Sequence, residues 1–513
     1  MKNSIPLHPN PLPDADNPPA APRLPVWQAS FRMALVAAAG LVATGLIATG
    51  ISGCADLSGI APQATLRKAP SLGLVADSRP APAAVDPQWW RGFGDETLDG
   101  LVDQALQASP TLKLAQARLA RAKAAGDADM AASRPQVGGQ LDLTRQRYTA
   151  NGAVPPPLAG AIVDSGVAQL SASWELDFFG KNRAALDAAL GTANAAAADA
   201  QAARAMLASQ VAQTYFQLAR LGEQADVARR TLAQRGETLK LVQNRVAAGL
   251  DTRLELRQSE GSLPEARLQV EALQEQMALT RHALSALTGQ PNSADVLVPS
   301  AFSAIKSIVV APVIPADLMG RRADIAAARW RIEASLSDVA NAKTLFYPNI
   351  NLVAFAGFSS IGLGRLADAG SQQWGVGPAL RLPIFEAGRL RANLRAKTAD
   401  LDAAIESYNA AVVDAVREVA DQLASSHAIG RQQLEQQAAQ DAAQSAYDIA
   451  VQRYRAGLGN YLNVLTAETS VLAQRRLAVD LAGRALQTQV ALMHALGGGY
   501  APEPLQLSKT LQK

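Results

Sequence analysis

"RYRAGLGNYLNVLTAE", Arg453–Glu468, reads as a polar helix, a glycine-containing break, and a second helix with leucines at helical spacing. The chain contains this phrase twice. "RVAAGLDTRLELRQSE", Arg245–Glu260, matches it position for position at an offset of 208 residues (453 against 245). A helical hairpin tip is therefore written once in each half, and an internal repeat of this size decides the architecture.

The repetition extends outward from the tips. Ser109–Pro135 and Arg322–Pro348 both run as amphipathic helices into a proline, at an offset of 213 (348 against 135). Each half then follows one plan: helix, proline, two extended segments, glycine, a very long helix to the tip and a helix back. Residues 88–300 form the first repeat and 301–500 the second, followed by a tail at 501–513. No proline occurs between Leu158 and Leu263, nor between Ile384 and Ala501. Gly180–Ala248 as unbroken helix extends roughly 100 Å at 1.5 Å per residue. A globular core has no use for that length. Ala-rich stretches such as "GTANAAAADAQAARA" allow close helix–helix approach, so a curved wall of helices is expected.

The extended segments alternate. Leu170, Ala172, Trp174, Leu176 and Phe178 share one face, opposite Gln169, Ser171, Ser173, Glu175 and Asp177. Val137, Gly139, Leu141 and Leu143 alternate with Gln136, Gly138, Gln140 and Asp142 in the same way. In the second half Ile350, Leu352, Ala354, Ala356 and Phe358 fall on one face. Strands are expected at about 136–148, 167–179, 349–359 and 375–385. Each has the length of a tilted membrane strand, and a half-buried soluble hairpin has the same pattern. If the strands span lipid, one chain does not suffice, because an open sheet leaves its edge N–H and C=O groups unsatisfied there. Two chains give eight strands and a filled interior; three give twelve and room for a pore.

The N-terminus reads as a targeting segment. Arg32 precedes an uncharged apolar run, Met33–Ile51, that ends in "ISGCA", so residues 1–53 have the layout of a signal peptide with a long Pro-rich n-region. A plain transmembrane anchor has similar length. Small residues crowded before the lone Cys54 favour a bacterial lipobox, with a covalent lipid on Cys54. Ala55 in place of Asp resembles export onward to the outer membrane. Residues 54–87, Pro/Ala-rich and unpatterned, are expected to form a surface tether, and acyl chains contribute about 0.8 kcal/mol per buried methylene.

Catalytic and nucleic-acid chemistry find no support. Lys+Arg 48 against Asp+Glu 45 leaves the balance close to neutral. One cysteine excludes a disulfide framework. His8, His282, His427 and His494 are scattered without metal-ligand spacing, and no nucleophile or phosphate-binding motif appears in a strand-to-helix context. No enzyme activity, cofactor or metal is expected.

Several motifs together carry a resemblance: "WWRGFGDETLDGLVDQAL" from Trp89, "RRADIAAARWRI" from Arg321, "FYPNINL" from Phe346, the tip phrase, and the closing "ALGGGY". Over about Gln88–Tyr500 the chain resembles the TolC-like outer-membrane efflux ducts, in the lipoprotein branch paired with resistance-nodulation-division pumps. Ala323 stands where that family usually has Pro, a change that a helix start tolerates. The resemblance implies a mainly α protein with a membrane β-barrel. It implies a homotrimer whose twelve-stranded barrel continues into a twelve-helix periplasmic tunnel. A periplasmic adaptor protein engages the tunnel's closed end, a proton-driven inner-membrane pump supplies energy, and drugs or other small molecules pass out passively. The same fold serves ducts for protein secretion; a structural periplasm-spanning lipoprotein is the reading from another class.

Site roles follow from the resemblance. Gly249, Leu250 and Leu254, with Gly457, Leu458 and Leu462, match adaptor-contacting tips. Tyr454 matches a gate tyrosine, and Glu255 matches a first-hairpin acid that bonds toward it. Where relatives often carry acidic rings, this chain has Asn463 and Thr466, and a basic position is Gly459. Asp251, Glu255, Arg453 and Arg455 are the charges available for ion pairs between hairpins, each worth about 0–1 kcal/mol if exposed.

Overall fold

The computed structural model describes residues 57–67, 85–291, 294–308 and 318–501. The expected signal peptide, Cys54 and the tail beyond Ala501 lie outside the described residues. All contacts below belong to the compact unit that begins at Gly59.

The two halves are built alike. In the first, α1 (Glu96–Ala108) and α2 (Pro110–Ala132) lead to β1 (Gln136–Arg147) and β2 (Ile162–Leu176), then α3 (Lys181–Ala247) and α4 (Arg253–Thr288). In the second, α5 (Ala323–Thr344) leads to β3 (Asn349–Ile361) and β4 (Gln372–Arg381), then α6 (Arg389–Arg455) and α7 (Tyr461–Ala495). The long helices α3 and α6 each have 67 residues. The return helices have 36 and 35. A 67-residue helix spans roughly 100 Å. Proline spacing leaves α3 and α6 uninterrupted, whereas α4 carries Pro264 in its interior, removing one N–H that would bond the carbonyl four residues earlier.

Small side chains set the distance between α3 and α5. Ala184, Ala188, Ala193, Ala195 and Ala198 are buried along α3. A Cβ built on Gly191 lies 2.9–3.0 Å from the backbone and Cβ of Ala334, so nothing larger than glycine fits there. Arg322 fixes the start of α5. Its guanidinium reaches Asp324 and Glu418 at 2.7 Å each and the Ala495 carbonyl at 3.2 Å, tying three helices together. Ala323 occupies the first position of α5, where a missing proline changes nothing in the hydrogen bonding.

The bulky core lies where the halves meet. Trp89, Trp90 and Phe93 precede α1 and pack with Leu98 and Val102 against Leu207, Val211, Tyr215 and Phe216 of α3, and against Val490 and Met493 of α7. Asp95 caps α1 by accepting from the N–H groups of Thr97 and Leu98, and its other oxygen takes the Tyr215 hydroxyl at 2.6 Å. Burial, then this carboxylate, push the Tyr215 phenol up to about 12.

The four strands form one antiparallel sheet in the order β1-β2-β3-β4. The register puts Leu141, Ala168 and Phe358 in one row and Leu170, Ala356 and Trp374 in another. Leu352 and Ala354 continue this apolar face opposite Pro378 and Val376. The opposite face is mostly polar, with Val353 and Phe355 among its residues: Gln140, Gln169, Gly357 and Gln373 share a row, and Gln373 Nε2 donates to Gln169 Oε1 at 3.0 Å. The alternation located β1 to within one residue. β2 instead starts at Ile162, because Asp164 stays in the ladder opposite Arg145, 3.7 Å from its guanidinium. β2 ends at Leu176, because the Asp177 carboxylate accepts the Arg183 N–H at 2.8 Å and so begins α3. β4 covers 372–381 rather than 375–385: Gln372 and Gln373 pair with Phe358 and Gly357, and the strand stops before Pro383, which has no N–H to donate.

Part of the N-terminal segment is fastened to α6. Gln63 and Ala64 donate backbone N–H groups to Asp402 Oδ1, both at 2.9 Å. Asn409, one face-repeat further along α6, accepts from Arg67 N at 2.9 Å and donates to Thr65 O at 3.0 Å. The Pro/Ala-rich composition gave no sign of these clips.

Candidate functional site

The two tips share one backbone design. At the first, Gly249 (φ 73°) lets Leu250 N return to Arg245 O at 2.9 Å. At the second, Gly457 (φ 74°) lets Leu458 N return to Arg453 O at 2.8 Å. A positive φ ends the helix, and glycine adopts it without strain. The turns hold Leu250, Leu254, Leu458 and Leu462 outward, 66%, 63%, 70% and 56% exposed. Four large apolar side chains at one end, left open to solvent, form a patch fit for a partner.

The helices that leave the tips are capped differently. Thr252 and Glu255 make a capping box: Leu254 N donates to Thr252 Oγ1 at 3.1 Å, and Thr252 N to Glu255 Oε2 at 3.0 Å. The Thr252 hydroxyl also bonds that carboxylate and, as the largest cause, holds Glu255 below the usual carboxylate range. At the second tip Asn460 caps α7, accepting from Asn463 N at 3.1 Å. Asn463 thus occupies the position equivalent to Glu255. Thr466 spends its hydroxyl on the Leu462 carbonyl of its own helix, at 2.9 Å.

Beneath the tips the two hairpins of the chain are locked together. Tyr454 is 1% exposed, and its hydroxyl donates to Asp251 Oδ2. Arg245 grips the same carboxylate with two nitrogens, Nε at 3.0 Å and Nη2 at 3.3 Å. Its third, Nη1, donates to the Tyr454 carbonyl at 2.9 Å, and its Cζ lies 4.5 Å from the Tyr454 ring centre. The Arg245 and Asp251 side chains are only 12% and 9% exposed. Tyr454 sits in an apolar cluster with Val242, Tyr447, Tyr461, Val464, Val471 and Leu472. Burial, then the Asp251 carboxylate, raise the Tyr454 phenol well above its ordinary value, so it remains a donor throughout the physiological range. Burial opposes ionisation of Asp251, but hydrogen bonds from Arg245 and Tyr454 prevail and lower it.

Within the one chain, the tip contacts differ from those the resemblance implied. The acid that bonds Tyr454 is Asp251; Glu255 serves its own helix start. The cation is Arg245, to which the resemblance gives no role. Among the described residues neither Arg453 nor Arg455 makes an ion pair: Arg453 reaches only the Leu458 carbonyl at 3.4 Å, and both lie exposed. A usable signal was present, since Thr252-x-x-Glu255 spells a capping box and removes Glu255 from the candidate partners. Among the described residues no cluster of His, Cys, Asp and Glu is placed to hold a metal.

Two 67-residue helices, their return helices, an amphipathic four-stranded sheet and a locked pair of hairpin ends make up the duplicated chain. The outer membrane efflux protein family matches the chain twice, at residues 101–290 and 314–498. A multidrug resistance outer membrane protein of Escherichia coli O157:H7, MdtQ, is 33% identical over 431 residues, covering 81% of this chain and 88% of the relative. The fusaric acid resistance protein FusA of Burkholderia cepacia is 36% identical over 363 residues, 68% of this chain and 67% of the relative. Among solved structures, the outer membrane protein VceC of Vibrio cholerae superposes with a TM-score of 0.76 at 35% identity, over 82% of this chain and all of that one. A membrane protein from Pseudomonas aeruginosa gives 0.77 at 31%, over 85% and 100%. The chain belongs to the outer membrane efflux protein family. Its place is the outer membrane and its work is efflux.

Proposed function

We propose that three copies of this chain assemble into the exit duct of a tripartite efflux pump, passing drug-like small molecules passively to the exterior. The observation that carries this is the sheet. Its apolar face runs across all four strands in register, while β1 and β4 each keep one edge without a partner among the described residues. Lipid does not tolerate such edges. Joining β4 of one copy to β1 of the next closes twelve strands around a polar lumen lined by the glutamine rows. The exposed leucines of both tips fit a periplasmic adaptor, which would open the Arg245–Asp251–Tyr454 lock when it docks. An inner-membrane pump supplies the driving force, and the relatives' names indicate drug-like cargo.

A lipid on Cys54 fits the same arrangement. Gln63 is clipped to Asp402, thirteen residues into α6, or roughly 20 Å along the helix. The nine residues from Cys54 to Gln63 span at most roughly 30 Å when extended, enough to reach the membrane at the level of the sheet. Mass spectrometry of the mature N-terminus tests the lipid directly.

Reconstitution in planar bilayers tests the duct. Purified full-length protein is expected to conduct ions in discrete steps, rarely in the wild type and often once Asp251 is replaced. Absence of conductance in both defeats the reading. The sheet faces have their own test. Val376→Arg, on the apolar face, is expected to destabilise the barrel by about 2–4 kcal/mol in denaturant unfolding from lipid vesicles. Gln373→Arg, on the polar face, is expected to stay within about 0.5 kcal/mol while shifting ion selectivity toward anions.

A further inference from the structure

Above the tip lock, a second polar cluster lies between the hairpins. It involves Arg235, about 18 Å from the end of α3, and Glu468, about 10 Å from the start of α7. Arg235 Nη1 lies 2.9 Å from Glu265 Oε2 and 2.9 Å from the Ser262 carbonyl, both on α4 in its own hairpin. Arg235 Nε lies 3.5 Å from Glu468 Oε2 in the other hairpin and makes no hydrogen bond. Exposure separates the two acids: the Glu265 side chain is 73% exposed and that of Glu468 7%.

Glu468 is thus a carboxylate buried within a single protomer, before any neighbour is added. Its one cationic neighbour is already committed elsewhere. The charges acting on it are Arg235 from α3 and Glu265 from α4. Tyr447 from α6 and Tyr461 from its own helix also face it. Of these only Arg235 approaches its carboxylate, at 3.5 Å, a weak contact that offsets burial only in part. A buried charge with partial pairing costs more to desolvate than its partner returns. Neutralising Glu468 takes little from Arg235, which keeps Glu265 and the Ser262 carbonyl.

We propose that Glu468 is a proton-operated bias on the gate: ionised, it strains the contact between the two hairpins of a protomer and favours their separation, and neutral, it lets them close. Burial pushes the Glu468 carboxyl up, only partly offset by Arg235. The packed hairpins therefore hold the proton more tightly than separated hairpins, where water restores the ordinary value. Acidification through this window favours the packed form, and the gain is lost again as pH rises past the raised value. Acid closes this duct from within.

The inference rests on the duct reading, and one set of bilayer recordings separates the two. Full-length wild type, Glu468→Gln and Glu265→Gln are compared at pH 7.5 and 5.5, each also with Asp251→Ala so that openings are frequent. At pH 7.5 Glu468→Gln is expected to open at least threefold less often than its parent. The parent is expected to open less often at pH 5.5 than at pH 7.5, with the variant's own response to pH reduced severalfold. Glu265→Gln is expected to keep the parent's response. Equal or more frequent opening of Glu468→Gln at pH 7.5, an unchanged response to pH, or a response abolished by Glu265→Gln overturns the proposal. So does a Glu468→Gln protein with a lower unfolding temperature than wild type, since a neutral side chain is expected to tighten the packing. Complete silence of every variant, Asp251→Ala included, defeats the duct reading instead.

Discussion

Asp251→Ala is expected to release the hairpin contact, raising open probability in planar bilayers by roughly a hundredfold. The carboxylate holds two groups at once: the guanidinium of Arg245 in two hydrogen bonds and the Tyr454 hydroxyl from the other hairpin. Removing it leaves Arg245 a largely buried cation without its counter-ion, a change that costs about 3 kcal/mol at the lower end of the range for buried pairs. Tyr454→Phe removes one charge-assisted hydrogen bond and keeps the ion pair, so about 1.5 kcal/mol and a smaller rise are expected. The lock is also insensitive to ordinary acid. Because the folded Asp251 titrates below its ordinary value, its contribution is intact above that value and is lost only as pH falls through the lowered one. Any response between pH 5.5 and 7.5 therefore belongs to another group. If Asp251→Ala and wild type open equally often, the tip lock is ornamental.

Phe216→Ala is expected to be the most destabilising single truncation, costing about 3–5 kcal/mol. Its ring is fully buried, meets Phe93 edge-on at 4.9 Å between centres, and lies beside Tyr215. It belongs to the core that gathers the segment before α1, the middle of α3 and the end of α7. Lost packing there loosens both repeats together, so yield and thermal stability of the assembled protein fall. A variant that does assemble is expected to keep the wild-type gating response, because the tip cluster has separate side chains. Unfolding followed by light scattering and circular dichroism measures the loss; a shift of only a degree or two contradicts it.

The architecture was legible because it is written in repetition. Gly249 and Gly457 mark the tips at one offset, and proline-free runs delimit two helices of equal length. Strand faces were legible because side chains alternate with period two, and Ile350 to Phe358 fall on the apolar face that the register later defines. What escaped was decided by tertiary neighbours. Arg245 and Arg453 are equivalent in sequence, yet one is buried against Asp251 and Tyr454 and the other is exposed. Six residues on, Arg245 meets Asp251 where the second repeat has Gly459, and its contact with Tyr454 forms only where the hairpins meet. Arg235 and Glu468 were invisible for the same reason: their separation of 233 positions (468 against 235) disappears only on folding. The clips from Asp402 and Asn409 to residues 63–67 use backbone groups, which no side-chain pattern announces.

The unpaired edges of the sheet have a consequence for safety. In the proposed assembly, a sheet with two edges unpaired among the described residues cannot perforate a membrane alone, since the hole it would line requires hydrogen-bond partners that only other copies bring. Barrel closure and pore formation then become a single concentration-dependent event. A cell that makes too little of this protein, or makes it in the wrong compartment, gains no leak. The unfinished sheet acts as a fuse, conducting nothing until the last copy is in place.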